Sequence, residues 1–265
     1  MPKSNRSGKV TTSIPRVVMQ PKAQQQDDDN SATPQQVQPN IVQPSVKLDN
    51  FRNLTDDEKA DIIDTLIKTP VPTFLAKNSF QQFTYGMKMD DKPTVVDDTT
   101  LNTMGGKEIF RTVNNSVDTT HRMRFDADEV AMQVLKGTYT RVSDSGGSVY
   151  GKGIYFADSY SDSTAYGNTS GNIKKTAVIR GKLNPNAKTI TYSQAKSLAQ
   201  KEIASGSKLG KALSKADTQS ATSIYALSKG YDVMTSGHGY YNVLNRGALT
   251  MSKDIRAMGK YGSKW

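Results

Sequence analysis

The sequence predicts an α+β fold preceded by a disordered tail, and three observations carry that expectation. Residues 1–47 hold six of the ten prolines, a Gln24-Gln25-Gln26 run and an Asp27-Asp28-Asp29 run, and contain no aromatic residue. Helix-patterned segments lead the remainder, and strand-patterned segments follow without the regular alternation of a doubly wound sheet. Short apolar runs bounded by glycine or proline recur through the second half.

The tail cannot bury enough apolar area to offset its ordering entropy. Its six Lys/Arg against three Asp leave it near +3, so about +7 of the formal net charge of +10 belongs to residues 48–265. Two units are therefore expected: a disordered Gln/Pro-rich tail over 1–47 and one folded domain over 48–265.

In the domain, Thr55 and Glu58 form a capping box ahead of Ile62, Ile63, Leu66 and Ile67, and Pro70 and Pro72 stop the helix. Ser79–Met87 is aromatic-rich and fits helix or strand. Lys107–Val113 reads as a strand after the Gly105-Gly106 turn. Asp126 caps a short helix through Val130, Val134 and Leu135, closed by Gly137. A Gly146-Gly147 turn opens into Val149–Phe156. Thr176–Leu183 and Thr189–Tyr192 follow as strands. Helices are expected over Ser193–Ala204 and Ala216–Ser228, the second closed by Gly230. Tyr231–Thr235, Tyr241–Asn245 and Ala248–Met251 finish the chain as short strands, with Asn245-Arg246-Gly247 reading as a hairpin turn.

Composition narrows the chemistry. With no cysteine there is neither disulfide nor thiolate ligand nor cysteine nucleophile, and His121 and His238 alone make no metal motif. No metal cofactor is expected. No apolar run reaches the roughly 20 residues of a membrane span, and no secretory h-region is seen, so a cytoplasmic protein without membrane contact is expected. A pI near 9.5 suits a polyanionic partner, such as nucleic acid or an acidic protein surface, as well as a merely solvated basic surface.

One stretch carries specific chemistry: Tyr150-Gly151-Lys152-Gly153-Ile154-Tyr155-Phe156-Ala157-Asp158, then Ser159-Tyr160-Ser161-Asp162-Ser163-Thr164-Ala165-Tyr166. Gly151 and Gly153 permit close backbone approach, Ile154–Ala157 forms a strand, and Asp158 or Ser159 caps a helical turn. Ser163 and Tyr166 stand three apart and share a helix face. A hydroxyl beside an aromatic ring suits a flat aromatic amide.

This order resembles the nicotinamide pocket of the ADP-ribosyltransferase superfamily, which reads G-K-G-I-Y-F-A-D and then S-x-S-x-x-Y. The resemblance implies a split mixed β-sheet core with flanking helices, and NAD as substrate. It implies that Ser163 bonds the carboxamide, that Tyr166 stacks on the nicotinamide ring and that Tyr155 lines the opposite wall, with Gly153, Phe156 and Ser161 completing the pocket. The superfamily's first motif, an aromatic residue followed by Arg or His, is matched by Phe110-Arg111-Thr112, with Tyr139-Thr140-Arg141 as a second candidate. Arg111 would offer a fixed fork of donors to the phosphates or ribose, and the Thr112 backbone would hold the amide. From about Phe74 to Met251 the chain resembles domains of this kind in bacteriophage and mobile-element proteins, which implies a host cytoplasm or a virion as the setting.

The third motif departs. The family places a glutamate at the start of a late strand, where it stabilises the oxocarbenium-like transition state. Here Glu58, Glu108, Glu129 and Glu202 are the only glutamates, and Tyr240 takes that position. Tyr240 and Asn242, with Asp232, His238 and Asn245, are the candidates for partial replacement. The resemblance thus implies a mono-ADP-ribosyltransferase with a macromolecular acceptor, host protein or nucleic acid. The alternative is a non-catalytic NAD or ADP-ribose binder, or a structural component of a virion. An RNA 2′-phosphotransferase, drawing on Arg111, Arg141, Arg180 or Arg246, comes third.

Overall fold

A computed structural model describes residues 47–71, 78–87, 92–114, 116–118, 123–136, 150–167 and 176–257. The chain divides into Met1–Ile41 and Val42–Trp265, and every described residue belongs to the second unit. The tail expected over 1–47 thus lies, apart from Lys47, outside the described residues. So do Gly137, the Gly146-Gly147 turn and Tyr139-Thr140-Arg141.

Helices lead, as expected. α1 (Leu48–Arg52) precedes α2 (Asp56–Lys68), whose Thr55–Glu58 capping box is complete and which ends at Thr69, just before Pro70. The ambiguous aromatic segment is helical, α3 (Ser79–Gly86), with the Asn78 side chain accepting from Gln81 N. β1 (Thr94–Val96) and α4 (Asp98–Thr103) follow, then β2 (Lys107–Asn114), the short ladder of β3 (Ser116–Asp118) with β4 (Met123–Phe125), and α5 (Ala127–Leu135). The Tyr150–Tyr166 stretch contributes β5 (Ile154–Ala157) and most of α6 (Tyr160–Gly167).

β6 (Thr176–Leu183), β7 (Thr189–Thr191) and α7 (Tyr192–Ala204) come next. They are followed by α8 (Lys208–Leu213), α9 (Thr218–Ser228), β8 (Val233–Thr235) and β9 (Tyr240–Val243). A 3₁₀ turn (Arg246–Ala248) then leads into β10 (Leu249–Ser252) and β11 (Arg256–Ala257).

Among the described residues the strands form a nine-stranded mixed sheet in the order β1-β10-β6-β2-β5-β9-β8-β7, with β11 also on β6. β1–β10 and β7–β8 are parallel and the other pairs antiparallel. This is the α+β class expected. The Asn245-Arg246-Gly247 hairpin does not form. β9 and β10 are separated in the sheet by β5, β2 and β6, so the 3₁₀ turn crosses between distant strands.

Two cores flank the sheet. One joins α5 to one sheet face through Val130, Val134, Ile109, Val113, Ile154 and Phe156. The other is helical: Phe51, Ile63, Leu66, Phe83, Leu213 and Ile224 pack with Met234 of the sheet. Fully burying each such side chain contributes about 1.5–3 kcal/mol. Met234 lies opposite Asn242 in the ladder, so the helical layer covers the β8–β9 half on the face to which Asn242 belongs.

No helix among the described residues is long and apolar enough to cross a membrane.

Candidate active site

β2 pairs with β6 over all eight of its residues, yet meets β5 at a single position, Phe110 opposite Ala157. Beyond that point a side chain bridges the two strands, for Arg111 Nη1 donates to Tyr155 O at 2.7 Å. Strand alternation sorts β2: Ile109 and Val113 enter the α5 core, while Phe110 and Thr112 face α6. There the Phe110 and Tyr160 rings meet edge-on at 6.3 Å, and Thr112 Oγ1 lies 2.9 Å from Ser163 Oγ. The Phe110-Arg111-Thr112 and Ser161–Tyr166 segments, distant in sequence, are therefore in contact.

α6 starts where the Ser159 hydroxyl accepts from Asp162 N at 3.0 Å. Two residues apart on a helix, Ser161 and Ser163 point different ways: Ser161 is exposed, whereas Ser163 is only 4% exposed. Ser161, expected in the pocket, instead places its hydroxyl 3.2 Å from Ser159 Oγ at the outer rim. Tyr166 lies in the last turn of α6, and its side chain is outside the described residues.

Tyr155 shares its sheet face with Ala157, hence with Phe110 and Thr112. Its phenol donates to Gly151 O at 2.6 Å and accepts from Tyr150 N at 3.1 Å, closing the glycine turn. Lys152 N donates to Ser223 Oγ at 2.8 Å, tying the turn to α9. Phe156 requires a correction. It is one residue from Tyr155, so alternation sends it to the other face, where it is 2% exposed in the α5 core and does not face Thr112 or Ser163. Gly153 sits against β9, where an added Cβ would meet Asn242 Oδ1 at 1.9 Å and Val243 O at 2.8 Å. Its role is close strand approach.

β9 begins at Tyr240, which pairs with Ala157, and Asn242 pairs with Tyr155. Both therefore share the Tyr155 face, while Val243 and Tyr241 pack into the α5 core. Asn242 is 1% exposed, and its Nδ2 donates to Tyr150 O at 2.8 Å. Its Oδ1 is buried with no hydrogen-bond partner among the described residues.

Two other candidate replacements, Asp232 and Asn245, are engaged elsewhere. Asp232 Oδ1 accepts from Arg52 Nη2 and Asn245 Nδ2, both at 2.8 Å, and Oδ2 accepts from Lys188 N at 2.9 Å. Asn245 Oδ1 accepts from Gly247 N at 2.9 Å. These two residues bracket buried backbone. His238 is exposed in a turn where Gly237 and Gly239 have φ of 76° and 77°, a conformation that favours glycine.

Each glutamate has a structural partner. Glu58 and Glu129 complete capping boxes, Glu108 Oε1 accepts from Arg180 Nε at 2.7 Å, and Glu202 accepts from Ser207 Oγ. Asp158 lies at the end of β5 with Lys107 Nζ 3.8 Å away, its carboxylate against Gly239.

Positive charge collects nearby. Burial, and secondarily the charge of Arg111, push the Arg246 guanidinium down from its ordinary value to about 10. The sequence pattern offers Arg246 as a hairpin-turn residue and as a phosphotransfer candidate, and gives no signal for Ser223. Ser223 stands in a helix whose other small polar residues, such as Ser220 and Thr222, are equally buried, so no local signal sets it apart.

Comparison of the chain with family models, curated proteins and solved structures gives no match.

Proposed function

We propose that the chain binds NAD across the β2–β5 gap and transfers single ADP-ribose units to a macromolecular acceptor, a host protein or nucleic acid, in the host cytoplasm or a virion. One observation supports this reading: Thr112 and Ser163 hydroxyls stand 2.9 Å apart, so the two segments that carry the resemblance are in contact. Tyr155 and Asn242 adjoin it on the same sheet face. By alternation Arg111 leaves β2 on the Ile109–Val113 face, opposite Thr112, and reaches the gap where its Nη1 bonds Tyr155 O; from there it and Arg246 would supply cationic donors for the diphosphate.

In the reaction the bond between ribose C1′ and the nicotinamide nitrogen breaks, and nicotinamide leaves with the electron pair. The acceptor attacks C1′ and gives up its proton. Developing positive charge at C1′ calls for a carboxylate, yet every glutamate is committed elsewhere and Tyr240 begins β9. Loss of such a group costs roughly 10²–10³ in rate, so slow, single transfer is expected rather than chain building.

The same observation favours a second reading, a non-catalytic NAD or ADP-ribose binder. Calorimetric titration with NAD, together with nicotinamide release over hours with and without lysate, separates the two. Release abolished by Arg111→Ala and Ser163→Ala supports transfer. Binding without release supports the binder, and no binding refutes both.

A further inference from the structure

From Ser163 to Lys201 the sequence carries seven Lys or Arg and no Asp or Glu, although the chain holds 25 Asp and Glu in all. The structure lays the end of this acid-free run, β7 and the start of α7, beside the glycine turn. The Tyr150 and Tyr192 rings meet there edge-on, with centroids 6.0 Å apart. Both residues are only partly buried, so ring surface stays open to solvent. Lys196 lies one helical turn after Tyr192 and shares its side of α7. Lys188 stands exposed just before β7, whose far end leads into Tyr192.

Charge on this rim is not neutralised. Lys188 and Lys196 enter no ion pair among the described residues, whereas Lys208, Lys215 and Lys229 of the helical layer pair with Asp61, Asp64 and Asp56. Basic groups without acid partners attract a polyanion. Open aromatic rings beside them choose among polyanions, because unstacked bases can lie on tyrosine while duplex bases and acidic side chains cannot. The rim is also continuous with the candidate site. Tyr155, on the sheet face of Thr112, accepts from Tyr150 N and donates to Gly151 O, and Asn242 donates to Tyr150 O. The Tyr150 main chain is thereby pinned on both sides to strands that border the site.

We propose that single-stranded nucleic acid binds along this rim, its bases stacking on Tyr150 and Tyr192 and its phosphates meeting Lys188 and Lys196. As the acceptor of ADP-ribose, such a strand rests on the NAD reading above. Its binding is measured without NAD and so stands or falls separately.

The test follows fluorescence anisotropy of a labelled single strand of about 12 nucleotides, as DNA and as RNA, on titration with the full chain. The matching duplex and polyglutamate serve as competitors. Wild type is expected to bind a single strand about 10-fold or more tightly than the duplex, through base stacking. Affinity should fall with salt at a log–log slope of roughly −1.4, the value for two phosphate contacts on a single strand. Lys196→Ala should reduce that slope by about 0.7 and weaken binding about fivefold near 0.1 M salt. Lys136→Ala, an exposed lysine at the end of α5 on the opposite side of the sheet, should change neither. Tyr150→Leu and Tyr192→Leu should each remove most of the preference for a single strand, and Tyr192→Phe should keep it; melting temperatures establish that each variant folds. The tighter of the DNA and RNA strands identifies the sugar. Absence of binding, equal binding of the duplex, equal displacement by polyglutamate, or a Lys136→Ala loss that matches Lys196→Ala overturns the proposal, and the NAD reading then stands with a protein acceptor. Strand binding by a wild type that fails to bind NAD upholds the rim and refutes the transfer reading.

Discussion

Replacing Gly153 by alanine tests the packing of the glycine turn against β9. The added Cβ would lie 1.9 Å from Asn242 Oδ1, 2.9 Å from Asn242 Cγ and 2.8 Å from Val243 O. The first distance is roughly 1 Å short of the closest approach that a Cβ tolerates. Asn242 cannot swing away and keep its 2.8 Å hydrogen bond to Tyr150 O. Val243 O is backbone held in the β5–β9 ladder, so it yields only if the strands part. Overpacking of this kind costs about 1–3 kcal/mol, and the lost hydrogen bond about 1 kcal/mol more. Alanine offsets some 0.4–1 kcal/mol by restricting the unfolded chain.

A net loss of about 2–3 kcal/mol follows, or roughly 4–12 °C in melting temperature for a domain of this size. Urea unfolding and thermal melts of Gly153→Ala, Asn242→Ala and the double variant measure it. The double variant should be more stable than the sum of the singles by about 1 kcal/mol or more, because Asn242→Ala removes the worst clash. A Gly153→Ala protein within about 0.5 kcal/mol of wild type, or strict additivity in the cycle, would refute the reasoning.

Other outcomes follow from the same contacts. Arg246 has a folded-state pKa below its unfolded value, so the folded state disfavours its charge; that penalty is full below about pH 10 and is relieved as pH climbs above it toward the unfolded value. Arg246→Met is therefore expected to raise the melting temperature at pH 7 by about 2–8 °C, from relief of about 1–2 kcal/mol; a fall would show that its contacts outweigh its charge. Asp232→Ala leaves Arg52, Asn245 and Lys188 N without their shared acceptor. A loss of about 3–5 kcal/mol is expected in urea unfolding, and a loss under 1 kcal/mol would remove Asp232 from the structural role. The Asp64 carboxyl is held below the usual carboxylate range by hydrogen bonds from Lys215 and Lys68. Its stabilisation is present above the ordinary carboxylate pKa and lost as pH falls through the lowered value. Asp64→Asn should flatten the acid limb of a stability–pH profile, and an unchanged limb would count against that pairing. Arg111→Lys keeps the charge but not the planar fork, so NAD affinity should fall about 10-fold, read by calorimetry; full retention would mean that charge alone suffices.

What was legible in the sequence was local. The Thr55–Glu58 box, the stop before Pro70, the Asp126 cap and the Thr176–Leu183 strand stand where expected, because each signal is complete within a few residues. Ile154–Ala157 as a strand followed by a helix was equally readable. α4 and α8 escaped: at six residues each they are too short to show an amphipathic period.

The candidate site was decided by tertiary pairing. Alternation says that Tyr155 and Phe156 face opposite ways, but only the pairing of β5 with β2 and β9 says which of them meets Thr112 and which enters the core. The hairpin expected at Asn245-Arg246-Gly247 failed for a related reason. Two strands close in sequence found better partners across the sheet, which carried Arg246 between distant strands. Residue types at short spacing identify candidate groups. Which of them share a face, and which are tied up elsewhere as all four glutamates are, depends on contacts between elements far apart in the chain, and no local pattern encodes those.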